Sequence, residues 1–155
     1  MENKIIMAGF GGQGVLSIGK FLAYAGMEEN LEVTWMPSYG PEMRGGTANC
    51  SVVMSDRPVG SPVIATADCL IVMNKPSVAK FIGMVKKDGV VLVIDAGPDF
   101  RQQMLREHVQ RIDGILLTHE HKDHIGGLDD VRAFNYTSGE PVDIYAEERV
   151  QRGGK

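Results

Sequence analysis

The chain has 155 residues, a net charge of −4 and 43% hydrophobic residues. A length of this order allows one ordinary domain with a real core, and the weak negative charge argues against a nucleic-acid partner. The apolar stretches have the length of strands, far short of the ~20 residues that a membrane crossing needs, and no secretory signal pattern opens the chain. We therefore expect a cytoplasmic protein with no membrane or nucleic-acid partner.

The N-terminal part alternates apolar runs with helical spacing. Strands are predicted at Lys4–Ala8, Leu31–Trp35, Asn49–Met54, Cys69–Met73 and Val90–Ile94. A helix is predicted after the first strand, with its inward stripe at Val15, Ile18, Phe21, Leu22 and Ala25. A second helix is predicted from Pro76 to about Val85, and Asp88-Gly89 is predicted to turn the chain into the next strand. This alternation predicts an α/β fold with a mostly parallel sheet and helices on both faces.

The chain from Asp95 onward differs in character. We predict a turn at 95–98, a helix over 99–107 with Phe100, Met104 and Leu105 inward, and a strand at Gly114–Leu117. A further helix is predicted over 128–134 and a short strand over 142–145, and the polar 147–155 tail is predicted to fray. The two cysteines, Cys50 and Cys69, lie in apolar runs and are expected to be buried reduced thiols.

Two glycine-rich motifs mark the N-terminal part. Gly9, Gly11, Gly12 and Gly14 stand between a strand and a helix, where backbone N–H groups can face a ligand or a neighbouring subunit. The glycine spacing alone is a weak dinucleotide signal, and none of Glu28, Glu29 and Glu32 sits cleanly where the ribose-binding acid is expected. Tight strand–helix packing with a close approach by another subunit is the alternative interpretation.

The second motif, residues 38–48, contains Tyr39, Glu42, Arg44 and Gly46. Its glycines and proline are predicted to bend the chain sharply and to present Glu42 and Arg44 together. These two residues are either contact residues or a solvated surface pair.

With GFGGQG and SYGPEMRGGTA in place, residues 1 to about 93 resemble the gamma subunit, or gamma domain, of the 2-oxoacid:ferredoxin (or acceptor) oxidoreductases, most closely the 2-oxoglutarate type. The resemblance implies a truncated, Rossmann-like, non-catalytic module whose partners are the alpha and beta subunits. Thiamine diphosphate and iron–sulfur clusters would lie in those partners, which carry out coenzyme A-dependent oxidative decarboxylation. Gly9, Gly11, Gly12, Gly14, Tyr39, Glu42, Arg44 and Gly46 would then be cofactor-binding or subunit-contact residues.

A histidine-rich motif follows the Gly114–Leu117 strand. A turn that carries His119, His121, Asp123 and His124 can direct imidazole and carboxylate groups at metal ions. Residues 94 to about 150 resemble a fragment of the metallo-β-lactamase superfamily of the phosphodiesterase type, through IDAGPDF and ILLTHEHKDHIGG. That resemblance implies a metal-dependent hydrolase as the alternative function.

The metal-binding motif is incomplete in this chain. The resemblance implies further histidine and aspartate ligands after the motif, and no histidine follows His124. At most weak, exposed zinc binding is expected, without catalysis. We predict a seam at Val90–Ile94, where residues 1–93 meet a grafted partial segment, 94–155, that extends the sheet. Two truncated cores would leave apolar surface exposed, which predicts self-association.

Overall fold

The computed structural model describes residues 1–38, 47–106 and 108–153. Tyr39, Glu42, Arg44 and Gly46 lie outside these ranges. The chain forms two compact units, Met1–Val90 and Val91–Lys155. The boundary between the units, at 90/91, therefore lies within the predicted seam, Val90–Ile94, and a few residues before the predicted domain boundary at 93/94.

The first unit combines a mixed sheet with two helices. Its elements are β1 (Glu2–Phe10), α1 (Val15–Glu28), β2 (Glu32–Ser38), β3 (Thr47–Ser55), β4 (Ala67–Val72), α2 (Lys75–Phe81) and a 3-10 turn at Ile82–Met84, followed by the start of β5 (Val85–Ile94). The strand order is β2-β3-β1-β4, with β1 antiparallel to β3 and parallel to β4. The strand pair β2–β3 is also antiparallel. The predicted α/β class is confirmed, with antiparallel strands on one side of β1.

Strand β1 is the centre of the first unit. Its neighbouring residues Ile5, Ile6, Met7 and Ala8 are all buried. Because successive side chains of a strand point to opposite faces, this run shows that both faces of β1 are covered. Helix α1 packs against β1, β2 and β3, and α2 packs against β1 and β4.

Helix α1 meets the sheet through small residues, which corrects the predicted stripe. Val15, Gly19, Ala23 and Gly26 are buried, and Leu22 packs against the core. The three other predicted positions, Ile18, Phe21 and Ala25, are exposed. The reason is the size of the facing strand residues: a Cβ at Gly19 would collide with Cys50 Sγ, and a Cβ at Gly26 would lie 2.7 Å from Met54 Sδ. Large residues on the sheet require small ones on the helix.

The end of α2 and the start of β5 also differ from prediction. Helix α2 ends at Phe81, and β5 already begins at Val85, so Asp88-Gly89 lies within a strand and forms no turn. A Cβ at Gly89 would lie 3.1 Å from the backbone oxygen of Asp68. Gly89 therefore allows a close approach between two backbones within the sheet. The local sequence Asp88-Gly89 does not distinguish this role from a turn.

The second unit contains a parallel three-stranded sheet. Its elements are the end of β5, α3 (Phe100–Arg106), β6 (Gly114–Leu117), α4 (Lys122–Ile125), a 3-10 turn at Leu128–Val131, α5 (Arg132–Ser138), β7 (Asp143–Ala146) and α6 (Glu148–Gly153). The strand order is β5-β6-β7, and β6 pairs in parallel with both neighbours. Ile115 of β6 is fully buried, and the rings of Phe100 and Phe134 meet edge to face.

Two predictions for the second unit were wrong. Leu105 is 65% exposed, although Phe100 and Met104 are buried as predicted. Five residues of helix rotate Leu105 by about 140° from Phe100, which takes it off the buried face. The tail over 148–153 is helical, and Val150 is buried there. None of the described helices combines the length and apolarity that a bilayer crossing requires.

Candidate functional site

The first glycine motif forms the connection from β1 to α1. Gly12 has a φ of 94° and Gly14 a φ of 76°, a region that glycine adopts without strain. A Cβ at either position would meet nothing within 4 Å. A Cβ at Gly9 would instead lie 2.6 Å from Val15 and 2.8 Å from Gln13 Oε1. Gly9 is thus needed for packing, while Gly12 and Gly14 are needed for the backbone path and face open space.

The motif borders a cavity of about 280 Å³. It is lined by Phe10, Gly11, Gly12, Gly14, Val15, Leu16, Ser17 and Ala48. The start of α1 lies at this cavity, so backbone N–H groups of the first helical turn are nearby. The geometry allows a group of another molecule to approach the backbone here.

Gln13 connects the motif to β4 and α2, a role that sequence reasoning missed. Its Oε1 accepts hydrogen bonds from Phe10 N at 2.6 Å and from Asn74 Nδ2 at 3.2 Å, and its Nε2 donates to Met73 O at 3.3 Å. Asn74 in turn caps α2, because its Oδ1 accepts from Ser77 N. The only sequence signal was an amide inside a glycine run. Gln13 occupies the edge where the parallel strands β1 and β4 both end.

The acidic residues considered for a dinucleotide are far from this edge. Glu28 ends α1, Glu29 follows it, and Glu32 begins β2. Helix α1 has 14 residues, so its two ends are about 20 Å apart. The glycine motif lies at the start of α1 and these carboxylates lie at or beyond its end, so the geometry does not support the ribose contact of a dinucleotide fold.

The two glycine motifs leave the sheet side by side. Phe10, which precedes the first motif, pairs with Thr47, which follows Gly46. On the other side of the second motif, Ser38 pairs with Asn49. The strand register therefore brings Ser38 and Thr47, the described residues on either side of 39–46, to the edge that carries Gly9, Gly11, Gly12 and Gly14.

The histidine motif begins directly after β6 and runs into α4. The ring centroids of His119 and His124 are 3.7 Å apart, and those of His119 and His121 are 4.8 Å apart. His124 Nδ1 lies 2.7 Å from Asp95 Oδ2, and His124 Nε2 lies 3.4 Å from Asp123 Oδ2. The side chain of Asp123 is 77% exposed. The turn therefore brings its three imidazoles together beside two carboxylates.

Glu120 lies within the same turn. A hydrogen bond from its own backbone N–H lowers the pKa of Glu120. Burial, the next largest effect, raises it, and the nearby Arg149, His121 and His119 lower it again, so that the pKa is lowered on balance. The carboxylate therefore stays ionised to lower pH than an ordinary glutamate.

The predicted metal ligands do not converge as a complete site. Within residues 1–38, 47–106 and 108–153, the structure places no group of three or more His, Cys, Asp or Glu side chains in a geometry that could hold a metal ion. Catalytic zinc sites use three protein ligands and a water. The chemistry of the donors suits zinc, but their arrangement does not form a zinc cage, and we derive no chemical step through a metal.

Comparison with known proteins identifies relatives of this chain. Residues 4–135 match the family described as "Pyruvate ferredoxin/flavodoxin oxidoreductase". The match runs past the predicted boundary at 93/94.

Two curated relatives illustrate the match. "Ketoisovalerate oxidoreductase subunit VorA" of Methanothermobacter marburgensis is 48% identical over 102 residues, which are 66% of this chain and 21% of the relative. "2-oxoglutarate synthase subunit KorC" of Methanocaldococcus jannaschii is 38% identical over 94 residues, 60% of this chain and 50% of the relative. The chain thus spans half or less of the length of these relatives.

A solved structure supports the fold. The gamma subunit of a keto/oxoacid ferredoxin oxidoreductase from Geobacter sulfurreducens PCA superposes with a TM-score of 0.54 at 30% identity, over 61% of this chain and 51% of that chain. A shorter similarity connects the chain to a different protein, the "Anti-Pycsar protein Apyc1" of Bacillus phage vB_BveM-Goe7, which is 37% identical over 65 residues, 39% of this chain and 25% of the relative.

Proposed function

Since this chain belongs to the pyruvate ferredoxin/flavodoxin oxidoreductase family, we propose that it acts as a gamma-subunit-like module of a 2-oxoacid:ferredoxin (or acceptor) oxidoreductase. The family match over residues 4–135 is the observation that carries this proposal. In this role the chain is a non-catalytic partner of alpha and beta subunits, and it acts in the cytoplasm. The partner subunits hold thiamine diphosphate and iron–sulfur clusters and decarboxylate the 2-oxoacid onto coenzyme A.

The chemistry of this chain agrees with a supporting role. An iron–sulfur cluster is usually held by four cysteine thiolates. The chain has two cysteines, and Cys50 is fully buried in the core of the first unit. These residues alone therefore do not supply four thiolates, and we propose that the partner subunits hold the electron carriers.

We propose that the edge with the two glycine motifs is the subunit contact. Two observations support this proposal: Gly12 and Gly14 leave open space beside the backbone, and Thr47, the first described residue after Gly46, pairs with Phe10 at the start of the first motif. Tyr39, Glu42, Arg44 and Gly46 are proposed to complete this contact.

Helix α1 offers a second apolar contact surface. Its outward residues Ile18, Phe21, Tyr24 and Met27 recur every three positions, and Phe21 is 69% exposed. Contiguous exposed apolar surface of this kind is typical of interfaces. A partner subunit would cover it, and in the isolated chain it would favour self-association.

The 2-oxoglutarate type is the proposed substrate class. The similarity to KorC supports it, and the similarity to VorA names ketoisovalerate as the competing 2-oxoacid. The test is co-expression of this chain with alpha and beta subunits that lack their own gamma subunit. Co-purification and a coenzyme A-dependent reduction of ferredoxin by 2-oxoglutarate would support the proposal, whereas reduction only by ketoisovalerate would reassign the substrate.

Variants sharpen the assembly test. Phe21→Glu should abolish co-purification, while Tyr136→Glu, at an 89% exposed residue of α5, should leave it unchanged. A chain that never associates with alpha and beta subunits, although it is folded by circular dichroism, would refute the proposed function.

Metal binding by the segment 94–155 is a second candidate property, favoured by the close approach of His119, His121 and His124. As a fragment of a metal-dependent hydrolase, this segment would bind zinc weakly and would not turn over an ester. Equilibrium dialysis with zinc followed by elemental analysis tests it. Tight stoichiometric zinc that is lost in a His119→Ala/His121→Ala variant would contradict weak binding and favour the hydrolase alternative.

A further inference from the structure

Gln13 joins two turns of the first unit, the first glycine motif and the start of α2. Its Oε1 accepts from Phe10 N at 2.6 Å and from Asn74 Nδ2 at 3.2 Å, and its Nε2 donates to Met73 O at 3.3 Å. The bond to Phe10 lies within the motif, whereas the bonds to Met73 and Asn74 reach the residues that follow β4. One exposed side chain therefore connects the ends of the parallel strands β1 and β4.

The glycines around Gln13 make its placement possible. Gly12, with a φ of 94°, and Gly14, with a φ of 76°, flank Gln13 and take a backbone region that other residues rarely adopt. A Cβ at Gly9 would lie 2.8 Å from Gln13 Oε1 and 3.1 Å from Met73 Cβ. Gly9 thus leaves the room through which the amide reaches the end of β4. The placement of this amide explains the glycine spacing without reference to a dinucleotide.

The cap of α2 determines the orientation of the Gln13 amide. Asn74 Oδ1 accepts from Ser77 N at 3.0 Å, so Asn74 turns its NH₂ group toward Gln13. Gln13 must answer with its oxygen, which is also what Phe10 N–H requires. A flipped Gln13 would place its NH₂ group against Phe10 N–H and its oxygen against Met73 O. The two amides are therefore compatible with the backbone in one shared orientation.

We infer that Gln13 is a positioning residue that couples the first glycine motif to the cap of α2 and so holds the motif in one arrangement for the proposed subunit contact. The contact rests on the proposed function, whereas the coupling is a property of the isolated chain. A segment that already has its bound arrangement loses less conformational freedom on association, so the coupling favours binding. A partner that covers the exposed amide also excludes water from these hydrogen bonds and strengthens them.

Amide hydrogen exchange of the full chain, followed by NMR, tests the coupling, because local opening controls exchange at each amide. Gln13→Met keeps the length of the side chain and removes its polar atoms. Exchange at Phe10 N–H, which loses its acceptor, should rise about 2- to 12-fold, the factor that corresponds to one hydrogen bond. Exchange at Ser77 N–H should rise too, because its acceptor Asn74 loses the group that orients its amide. An unchanged Ser77 would contradict the coupling.

Asn74→Asp breaks the link while it keeps the helix cap. Aspartate caps a helix as well as asparagine does, and either of its oxygens can accept from Ser77 N. Its second oxygen would then face Gln13 Oε1 in place of a donor. Phe10 N–H should exchange about 2- to 12-fold faster, while Ser77 N–H stays protected. A general loss of stability would accelerate both amides. An unchanged Phe10 amide in a folded Asn74→Asp variant would overturn the inference.

The effect on association is measured with alpha and beta subunits. Gln13→Met and Asn74→Asp should each raise the apparent dissociation constant about 2- to 12-fold. The matched control is Gln102→Met, at an exposed glutamine of α3, which should change neither association nor the two amides. An effect of Gln13→Met without one of Asn74→Asp would make Gln13 a direct contact and refute its positioning role, as would full binding by both variants. If the wild type does not associate, the proposed function fails, and the exchange pattern still decides the coupling.

Discussion

The packing of α1 on the sheet predicts that replacing one of its glycines by alanine destabilises the chain, which is the opposite of the usual effect in a helix. In an exposed helix, Gly→Ala stabilises by about 1 kcal/mol. At Gly19 the new methyl group would collide with Cys50 Sγ and lie 3.1 Å from Trp35 Nε1. Cys50 is fully buried, so its sulfur has no open space into which to move. Overpacking of this kind costs about 1–3 kcal/mol. Gly19→Ala should therefore lower the free energy of unfolding by about 1 kcal/mol net.

Urea unfolding measures this change. The chain has one tryptophan, Trp35, which lies at the contact and reports on the first unit. The matched control is Gly83→Ala in the 3-10 turn after α2, where a Cβ meets nothing within 4 Å, and it should be neutral or stabilising. The double variant Gly19→Ala/Cys50→Ala removes the colliding sulfur and should be at least about 1 kcal/mol more stable than the sum of the single effects. Gly19→Ala with a stability equal to that of Gly83→Ala would refute the close-packing argument.

Three other residues of the first unit give measurable expectations. Burial acts to raise the pKa of Asp68, but the hydrogen bonds from Lys86 and from the backbone of Lys4, with their positive charges, lower it on balance. Because the pKa of Asp68 is lowered in the folded state, its carboxylate stabilises the fold above the ordinary carboxyl pKa, and this stabilisation is lost as the pH falls through the lowered pKa. Between about pH 5 and pH 2, the free energy of unfolding of the wild type should therefore fall by up to ~1 kcal/mol more than that of Asp68→Asn in urea titrations. Equal losses would show that the ion pair contributes nothing. Burial raises the pKa of the Cys50 thiol, with a smaller opposing effect from the neighbouring Trp35. Cys50 should thus react with a disulfide reagent at neutral pH only as the unit unfolds, and immediate labelling in a Cys69→Ser background would contradict its burial. Gln13→Ala removes the hydrogen bonds to Phe10, Met73 and Asn74. It should lower the thermal midpoint by about 4–8 °C for each ~1 kcal/mol of unfolding free energy that is lost. An unchanged midpoint would show that these hydrogen bonds do not stabilise the unit.

The order of elements could be predicted because it depends on local signals. Gly9 to Gly14 separate an apolar run from a helical repeat, and β6 was predicted at its observed bounds, Gly114–Leu117. The inward face of α1 could not be predicted in this way. Hydrophobic spacing favours Ile18 and Phe21, but Trp35 and Cys50, from distant strands, occupy the space that faces position 19, and only glycine fits against them there.

In the candidate sites, too, only contacts between residues close in sequence could be predicted. The histidine motif predicted the closeness of its rings, since those residues are adjacent in sequence. Asp95, by contrast, contacts Thr118 across 23 residues and His124 across 29 residues, and no local pattern encodes these contacts. Gln13 likewise acts through Met73 and Asn74, which come together with it only when β1 and β4 pair.

The pairing of Phe10 with Thr47 has a consequence for how this chain can vary in length. Antiparallel β3 places Cys50 and Val52 against α1 only in its present register. Deleting one residue inside β3 would turn every following side chain to the opposite side of the sheet and expose the core to water. Insertions between Ser38 and Thr47 leave that register untouched. A library of single-codon insertions and deletions should therefore retain soluble, foldable members within residues 39–46 and lose them within β3.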